Sequence, residues 1–109
     1  MHQVKVKPLS VNDAWKGRRF KTDEYKAFED EILYKLPASV KIPEGKIKMR
    51  LHWGFSSNGS DFDNPIKPFL DCLQKKYLFN DNRVWDCRIT KEIVPKGQEF
   101  IEFEIGELE

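Results

Sequence analysis

The sequence has only two cysteines, no long apolar run and almost no net charge. The first two features argue against disulfide-rich, zinc-binding and membrane-spanning proteins. Cys72 and Cys87 form no C-x-x-C pair and do not stand near a histidine at zinc-ligand spacing. We therefore expect two reduced, partly buried thiols rather than a zinc motif or a disulfide framework. The net charge of +1 does not by itself favour a nucleic-acid partner, because affinity for DNA comes largely from phosphate neutralisation.

No stretch approaches the roughly 20 apolar residues that a membrane-spanning helix needs. The first eight residues alternate charged and apolar side chains and lack the continuous apolar core of a secretory signal. We expect a cytoplasmic protein without a membrane partner. With 109 residues, 39% of them hydrophobic and 34% charged, the chain can build one small core. We predict a single domain over residues 1–109, with no room for a separate cofactor domain and no small-molecule cofactor.

The charges that are present are segregated along the chain. Residues 1–21 carry several lysines and arginines against Asp13 alone, whereas residues 98–109 carry glutamates and no base. One face of the protein could therefore be basic while the whole chain stays near neutral. Surface charges also cluster by chance, and an acidic tail often only solvates a chain end, so the pattern leaves both interpretations open.

Hydrophobic periodicity predicts elements in the order β-α-β-α-β-β. A short first strand around Val4 and Val6 should end at Pro8, and residues 9–21 should form an irregular basic loop. Thr22 is the expected N-cap of a helix that Pro37 stops. Its apolar stripe consists of Tyr25, Phe28, Ile32 and Leu36.

A second helix is expected from Asn64 as N-cap and Pro65 as first helical position to about residue 78. Its buried stripe consists of Ile66, Phe69, Leu70, Leu73 and Tyr77. Two strands follow, at roughly Arg83–Val94 and around Ile101, Phe103 and Ile105, joined by a turn at 95–97. The predicted fold class is α/β (α+β), a single domain in which two helices pack on a mixed sheet.

The strand Lys46–Trp53 shows the strictest alternation in the chain. Its apolar face consists of Ile47, Met49, Leu51 and Trp53, and its other face of Lys46, Lys48, Arg50 and His52. The outer face is therefore basic, although a solvated strand is the more ordinary explanation than DNA contact. His52 has no obvious partner in sequence, so we do not assign it as a general base.

Three aspartates and a lysine form the most informative group of residues. Asp61 and Asp63 follow a flexible loop, Lys67 lies one helical turn beyond Asp63, and Asp81 follows the second helix. Hard cations such as Mg²⁺ prefer oxygen ligands, so these carboxylates could hold a metal against a phosphodiester. On general grounds, a pair of aspartates before a helix more often caps the helix. The residues after Asp61 do not fit the ligand positions of an EF-hand loop.

Two ordered segments resemble signatures of the RusA family of Holliday junction resolvases. The family pattern D-x-D-N-x-x-K-x-x-x-D-A-L is matched by Asp61-Phe62-Asp63-Asn64-Pro65-Ile66-Lys67-Pro68-Phe69-Leu70-Asp71-Cys72-Leu73. The pattern D-D-x-x-V is matched by Asn80-Asp81-Asn82-Arg83-Val84, with asparagine in place of the first aspartate. The segment Pro8–Asn12 also looks like the family's N-terminal Pro-x-x-x-Asn element.

This resemblance implies a function and a set of site residues. Asp61, Asp63 and Asp81 would bind the metal, Mg²⁺ or Mn²⁺ as its substitute, and Lys67 would be the essential catalytic lysine. The protein would be a homodimer that nicks two symmetry-related strands of a four-way DNA junction in recombination and repair. The family is frequent in phages and prophages. Lysine in such a site acts as a fixed point charge on the phosphate rather than as a base.

Two other functions remain open from the residues. The first is a non-catalytic DNA-binding module, in which the aspartates only cap the helix. The expected phosphate contacts, in this module and in the nuclease alike, are Lys5, Lys16, Arg18, Arg19 and Lys48. The second is a calcium-binding structural domain, which the absence of a recognisable calcium loop disfavours.

Overall fold

The computed structural model describes residues 1–16 and 20–109, and the side chains of all of these except Trp15, Lys16 and Phe20. The described strands and α-helices are β1 (His2–Val4), β2 (Trp15–Lys16), β3 (Phe20–Lys21), α1 (Asp23–Lys35), β4 (Ile47–Phe55), α2 (Ile66–Tyr77), β5 (Val84–Ile93) and β6 (Phe100–Glu107). None of the described helices is long and apolar enough to cross a bilayer.

The main sheet has four strands in the order β1-β6-β4-β5. β4 and β5 are parallel and are joined through α2, whereas β6 pairs antiparallel with both β1 and β4. A parallel pair needs a crossover of this kind, since a tight turn cannot return the chain in the same direction. β2 and β3 form a separate two-stranded sheet. The predicted α+β domain with a mixed sheet and two packed helices is confirmed.

The first helix begins where its sequence predicts. The Thr22 side chain accepts a hydrogen bond of 3.1 Å from the Tyr25 backbone N–H, and Asp23 and Glu24 stand at the positive end of the helix dipole. The helix ends at Lys35, immediately before Leu36 and Pro37. All four residues of the predicted apolar stripe are buried.

Both helices pack on one face of the sheet, which we call the inner face. The side chains at its centre are almost fully buried, and burial of a large apolar side chain contributes about 1.5–3 kcal/mol. They are Ile47, Met49, Leu51 and Trp53 of β4, Ile101 and Phe103 of β6, Phe28 and Ile32 of α1, and Phe69 and Leu73 of α2. The strict alternation in β4 is confirmed, because it separates this core from the opposite side of the sheet.

The opposite side, which we call the open face, carries mixed rather than purely basic charge. The basic residues of β4 do point outward, but the register places Glu104 opposite Arg50 and Glu102 opposite His52. Asp86 lies opposite Lys48 on the other flank of β4. The sequence separates the acidic end from the basic start of the chain, but the pairing of β6 with β1 and β4 brings the two together.

Residues 9–21 differ from the predicted irregular loop. They contain a 3₁₀ turn at Val11–Asp13 and the strands β2 and β3. The first strand also ends earlier than predicted, at Val4, although Val6 remains buried beside it. Strands of two or three residues are too short to show a hydrophobic alternation, so periodicity could not define them.

Three further details correct the sequence predictions. The N-cap position of α2 is Pro65 rather than Asn64, and no side-chain hydrogen bond caps the helix. The turn at 95–97 leads into a crossover, because β4 separates β5 from β6 in the sheet. Of the two free cysteines, Cys72 is buried and Cys87 is exposed. Burial raises the pKa of the Cys72 thiol to about 12, so this residue is inert at neutral pH.

Candidate active site

The loop that carries Asp61 and Asp63 leaves the carboxyl end of β4 and is tied to the sheet and to the N-terminal segment by hydrogen bonds, among them one of 2.6 Å from the Lys91 ammonium of β5 to the Ser60 carbonyl. The buried Trp53 donates its indole N–H to the Phe62 carbonyl at 2.6 Å, which ties the loop to the core. The Val11 N–H donates to the Asn64 carbonyl at 2.8 Å, which ties the same loop to the N-terminal segment. A functional loop held by a rigid scaffold can present its side chains in a defined position.

Asp61 and Asp63 are exposed, and their carboxylates form no hydrogen bond or ion pair with another described residue. The Asp63 backbone carbonyl accepts the Ile66 N–H at 3.1 Å, so this residue starts the helix through its main chain. An aspartate used as a helix cap would instead accept through its side chain. The two carboxylates are therefore not engaged as helix caps and are free to bind a cation.

Lys67 lies in the first turn of α2 and is paired with Asp71 on the same helix. Its ammonium lies 2.7 Å from the Asp71 carboxylate, which also accepts a bond of 3.4 Å from the Tyr25 hydroxyl. The hydrogen bond to Asp71 raises the pKa of Lys67, and the charges of Asp71 and Asp81 act in the same direction. The lysine is therefore a fixed positive charge near neutral pH.

Asp81 begins a 3₁₀ turn, Asp81–Arg83, a few residues after α2 ends at Tyr77. Its backbone N–H donates to the Gln74 side chain at 2.8 Å, so α2 itself positions the turn. The Asn80 side chain accepts the Asn82 N–H at 3.0 Å and caps this turn. Asn80 stands where the family signature has an aspartate, and its side chain acts as the N-cap of this turn.

The predicted site residues come from three segments of the structure. Asp61 and Asp63 lie on the loop before α2, Lys67 lies in the first turn of α2, and Asp81 lies in the 3₁₀ turn that follows the helix. In the described part of the chain, the one group of three or more potential metal ligands with atoms within 4.8 Å of one another is a different one, His52, Glu92 and Glu102. Asp61, Asp63 and Asp81 do not approach one another to that extent in this conformation.

A cleft of about 240 Å³ opens beside Asp61. One wall comes from the N-terminal segment, and the other from the end of β4, the loop after it and Glu99. The polar residues that line it are Lys7, Ser10, Asp13, Ser56, Ser57, Ser60, Asp61, Asn64 and Glu99. The Pro8–Asn12 segment, which resembles an N-terminal Pro-x-x-x-Asn element, thus lies against the aspartate loop.

The predicted DNA-binding residues fall in several places. Lys5 and Lys48 are exposed, and Lys48 lies on the open face, in a cavity of about 450 Å³ that includes none of the predicted aspartates. The ammonium of Lys5 lies 5.7 Å from the centre of the Phe100 ring. Arg18, Arg19 and the Lys16 side chain lie outside the described residues.

Sequence reasoning did not identify the cleft residues Asp13 and Glu99, which have no motif and approach Asp61 only through the fold. It also left His52 without a partner, although the structure gives this residue two. The spacing of Lys67 and Asp71 did indicate that the two side chains could pair, since residues four apart on a helix are neighbours.

Comparison with known proteins gives one family. The family model described as "Endodeoxyribonuclease RusA" matches residues 4–104, and this range includes the aspartate loop, α2 and Asp81. No curated protein matches the chain.

Proposed function

Because the chain belongs to the RusA endodeoxyribonuclease family, we propose that it resolves four-way (Holliday) junctions in DNA recombination and repair. The proposal rests on one observation about the loop that carries Asp61 and Asp63. Asp61 and Asp63 are exposed on the loop that follows the buried strand β4, and their carboxylates are not engaged by the described residues around them. This arrangement fits a binding role better than a capping role.

The donor set fits a hard divalent cation. Asp61, Asp63 and Asp81 would hold Mg²⁺, or Mn²⁺ in its place, through carboxylate oxygens. When bound, the cation would lower the pKa of the attacking water and offset negative charge on the phosphate. The ligand atoms of Asp61, Asp63 and Asp81 do not all lie within 4.8 Å of one another here, so the loop and the turn would approach each other when the metal binds.

Lys67 would contact the scissile phosphate as a positive charge. Its pKa is raised, so it would not accept a proton from water at neutral pH. Asp71 would hold the ammonium in place from the next turn of α2, where the two atoms are 2.7 Å apart. Positioned charges of this kind stabilise the developing negative charge of a transition state.

A homodimer would supply the second cut. A four-way junction has two-fold symmetry, and an isologous dimer presents two identical sites to it. Dimerisation would also double the number of phosphate contacts from Lys5, Lys16, Arg18, Arg19 and Lys48.

The test is cleavage of a labelled four-way junction beside linear duplex of the same arm sequence, with Mg²⁺ or with EDTA. We expect nicks in the junction that require Mg²⁺ and are absent from the duplex, and the same junction affinity in Ca²⁺ without cleavage. Junction binding with no cleavage in Mg²⁺ or Mn²⁺ would contradict the proposal and favour a DNA-binding module.

A further inference from the structure

The open face of the sheet carries a second group of potential metal ligands. His52 of β4 lies opposite Glu102 of β6 and opposite Thr90 of β5 in the strand registers, and Glu92 follows two residues after Thr90. One ligand atom from each of His52, Glu92 and Glu102 lies within 4.8 Å of the other two. Three neighbouring strands of one sheet thus supply the group, and none of its members belongs to the aspartate site.

Both ring nitrogens of His52 have a partner. Nε2 lies 2.9 Å from the Glu92 carboxylate, and Nδ1 lies 2.6 Å from the Thr90 hydroxyl. The ring also packs at 5.7 Å from Phe100, and the side chain is 22% exposed. The imidazole is therefore fixed in orientation, with Nε2 directed at the Glu92 carboxylate.

The two glutamates have no other strong partner among the residues that the structure describes. Neither Glu92 nor Glu102 forms an ion pair with a described lysine or arginine. Two carboxylates held this close repel each other unless a positive charge lies between them. A bound cation would supply that charge.

We propose that His52, Glu92 and Glu102 bind a first-row divalent metal ion such as Zn²⁺. One imidazole and two carboxylates suit Zn²⁺ and its neighbours in that row, whereas Mg²⁺ prefers oxygen alone. Metal bonds of about 2.0–2.2 Å separate neighbouring ligand atoms by roughly 3.4 Å, so the side chains need only small rotations. With the metal on Nε2 in place of the hydrogen bond to Glu92, Nδ1–H would donate to the Thr90 hydroxyl, the kind of outer partner that metal-bound histidines commonly have.

The metal would link the edge strand β5 more firmly to the rest of the sheet. Among the described strands, β5 pairs with β4 alone, and the ion would link β5 to both β4 and β6. Binding to the folded state alone raises stability in proportion to the logarithm of metal concentration over Kd. The site is thus expected to be structural and separate from DNA cleavage.

Calorimetric titration of tag-free protein with Zn²⁺, in an excess of Mg²⁺ that occupies the aspartate site, tests the proposal. We expect a Zn²⁺ site in the wild type whose affinity falls at least about tenfold in His52→Gln and in Glu102→Gln. Matched controls are His2→Gln, which changes the other histidine of the chain, and Glu104→Gln, two residues along β6. Both controls should bind Zn²⁺ as the wild type does.

Thermal unfolding gives a second readout. Zn²⁺ should raise the Tm of the wild type and of the controls, and should raise that of His52→Gln less. The metal-free variants are compared first, so that a folding defect is recognised. The substitution Thr90→Val removes the outer partner and should weaken Zn²⁺ binding by about 10- to 100-fold. Equal Zn²⁺ affinity and equal Tm shift in the wild type and in folded His52→Gln would overturn the proposal.

Discussion

The pairing of Lys67 with Asp71 joins a positive charge to the helix that presents it. The two residues are four apart on α2, and their charged atoms lie 2.7 Å apart. The lysine side chain is 57% exposed, so the pair stabilises the fold by at most a few tenths of a kcal/mol. Its main effect is to fix where the ammonium lies and to keep it protonated.

This effect predicts a change in the pH dependence of cleavage. The hydrogen bond to Asp71 raises the pKa of Lys67, so the ammonium is present below that raised pKa and is lost as pH rises through it. In Asp71→Asn, the alkaline fall in cleavage rate should move to lower pH. The pH–rate profile measures this shift, with Asp30→Asn on α1 as the matched control. An unchanged alkaline limb in Asp71→Asn would show that Asp71 does not control the charge of Lys67.

The C-terminal end of α2 contains a residue with a strained backbone conformation. Leu78 has φ 58° and ψ 51°, the left-handed conformation, and the residue is 88% exposed. This conformation costs an L-residue other than glycine roughly 1–2 kcal/mol, and little burial offsets the cost here.

Leu78→Gly should therefore stabilise the protein. The expected net gain is about 0.5–1 kcal/mol, because the greater freedom of glycine in the unfolded chain cancels part of the relief. Urea denaturation measures the free energy of unfolding. Leu78→Ala is the control, since it removes the exposed side chain but keeps the Cβ that causes the strain. Equal stability of the glycine and alanine variants would contradict this explanation.

Glu29 connects three elements through two ion pairs. Its carboxylate lies 2.9 Å from Lys21 of β3 and 2.9 Å from Lys75 of α2, and its side chain is 13% exposed. Burial by itself would raise the pKa of Glu29, but the hydrogen bonds from both lysines hold the pKa below its usual value. The stabilisation is therefore present above the ordinary glutamate pKa and is lost as pH falls through the lowered value.

Glu29→Gln should lower the free energy of unfolding by about 1–2 kcal/mol at pH 7, and the difference should largely disappear near pH 3. Urea denaturation at both pH values measures it. Glu31→Gln on the same helix breaks only the exposed pair with Lys35 and should cost a few tenths of a kcal/mol. A cost for Glu29→Gln that is the same at both pH values would rule out an ionic origin.

The elements that the sequence predicts are those whose local signals agree. α1 has a capping threonine and an apolar stripe, and β4 has strict alternation, so both are found close to their predicted positions. The order of strands is not a local property, and nothing in residues 95–97 reveals that β6 lies between β1 and β4.

The residues of the candidate site likewise divide into those that a local motif predicts and those that only the fold brings together. Asp61, Asp63, Lys67 and Asp81 stand in an ordered motif, so the sequence alone could suggest them. The cleft beside Asp61 and the group around His52 depend on strand order and on contacts between distant segments. His52 and Glu92 are 40 positions apart, and no sequence pattern relates them before the sheet is known.

For the whole molecule, the proposed dimer predicts paired cleavage. A plasmid that extrudes a cruciform should be converted directly to linear product, because two nicks would occur in one bound complex. Gel analysis of early time points at low enzyme concentration measures the ratio of linear to nicked product. The same plasmid without the inverted repeat is the control. Nicked circles that always precede linear product would argue against a symmetric dimer.

The most direct measurement is the single-turnover rate of junction cleavage by Asp61→Asn, Asp63→Asn, Asp81→Asn and Lys67→Met in Mg²⁺, beside junction affinity. We predict that each variant loses at least about 100-fold in rate while it keeps its affinity for the junction, since each removes a metal ligand or a positioned charge. The exposed substitution Asp30→Asn should retain the wild-type rate. Wild-type cleavage by the Asp61 and Asp63 variants would contradict the proposal that these aspartates form the active site.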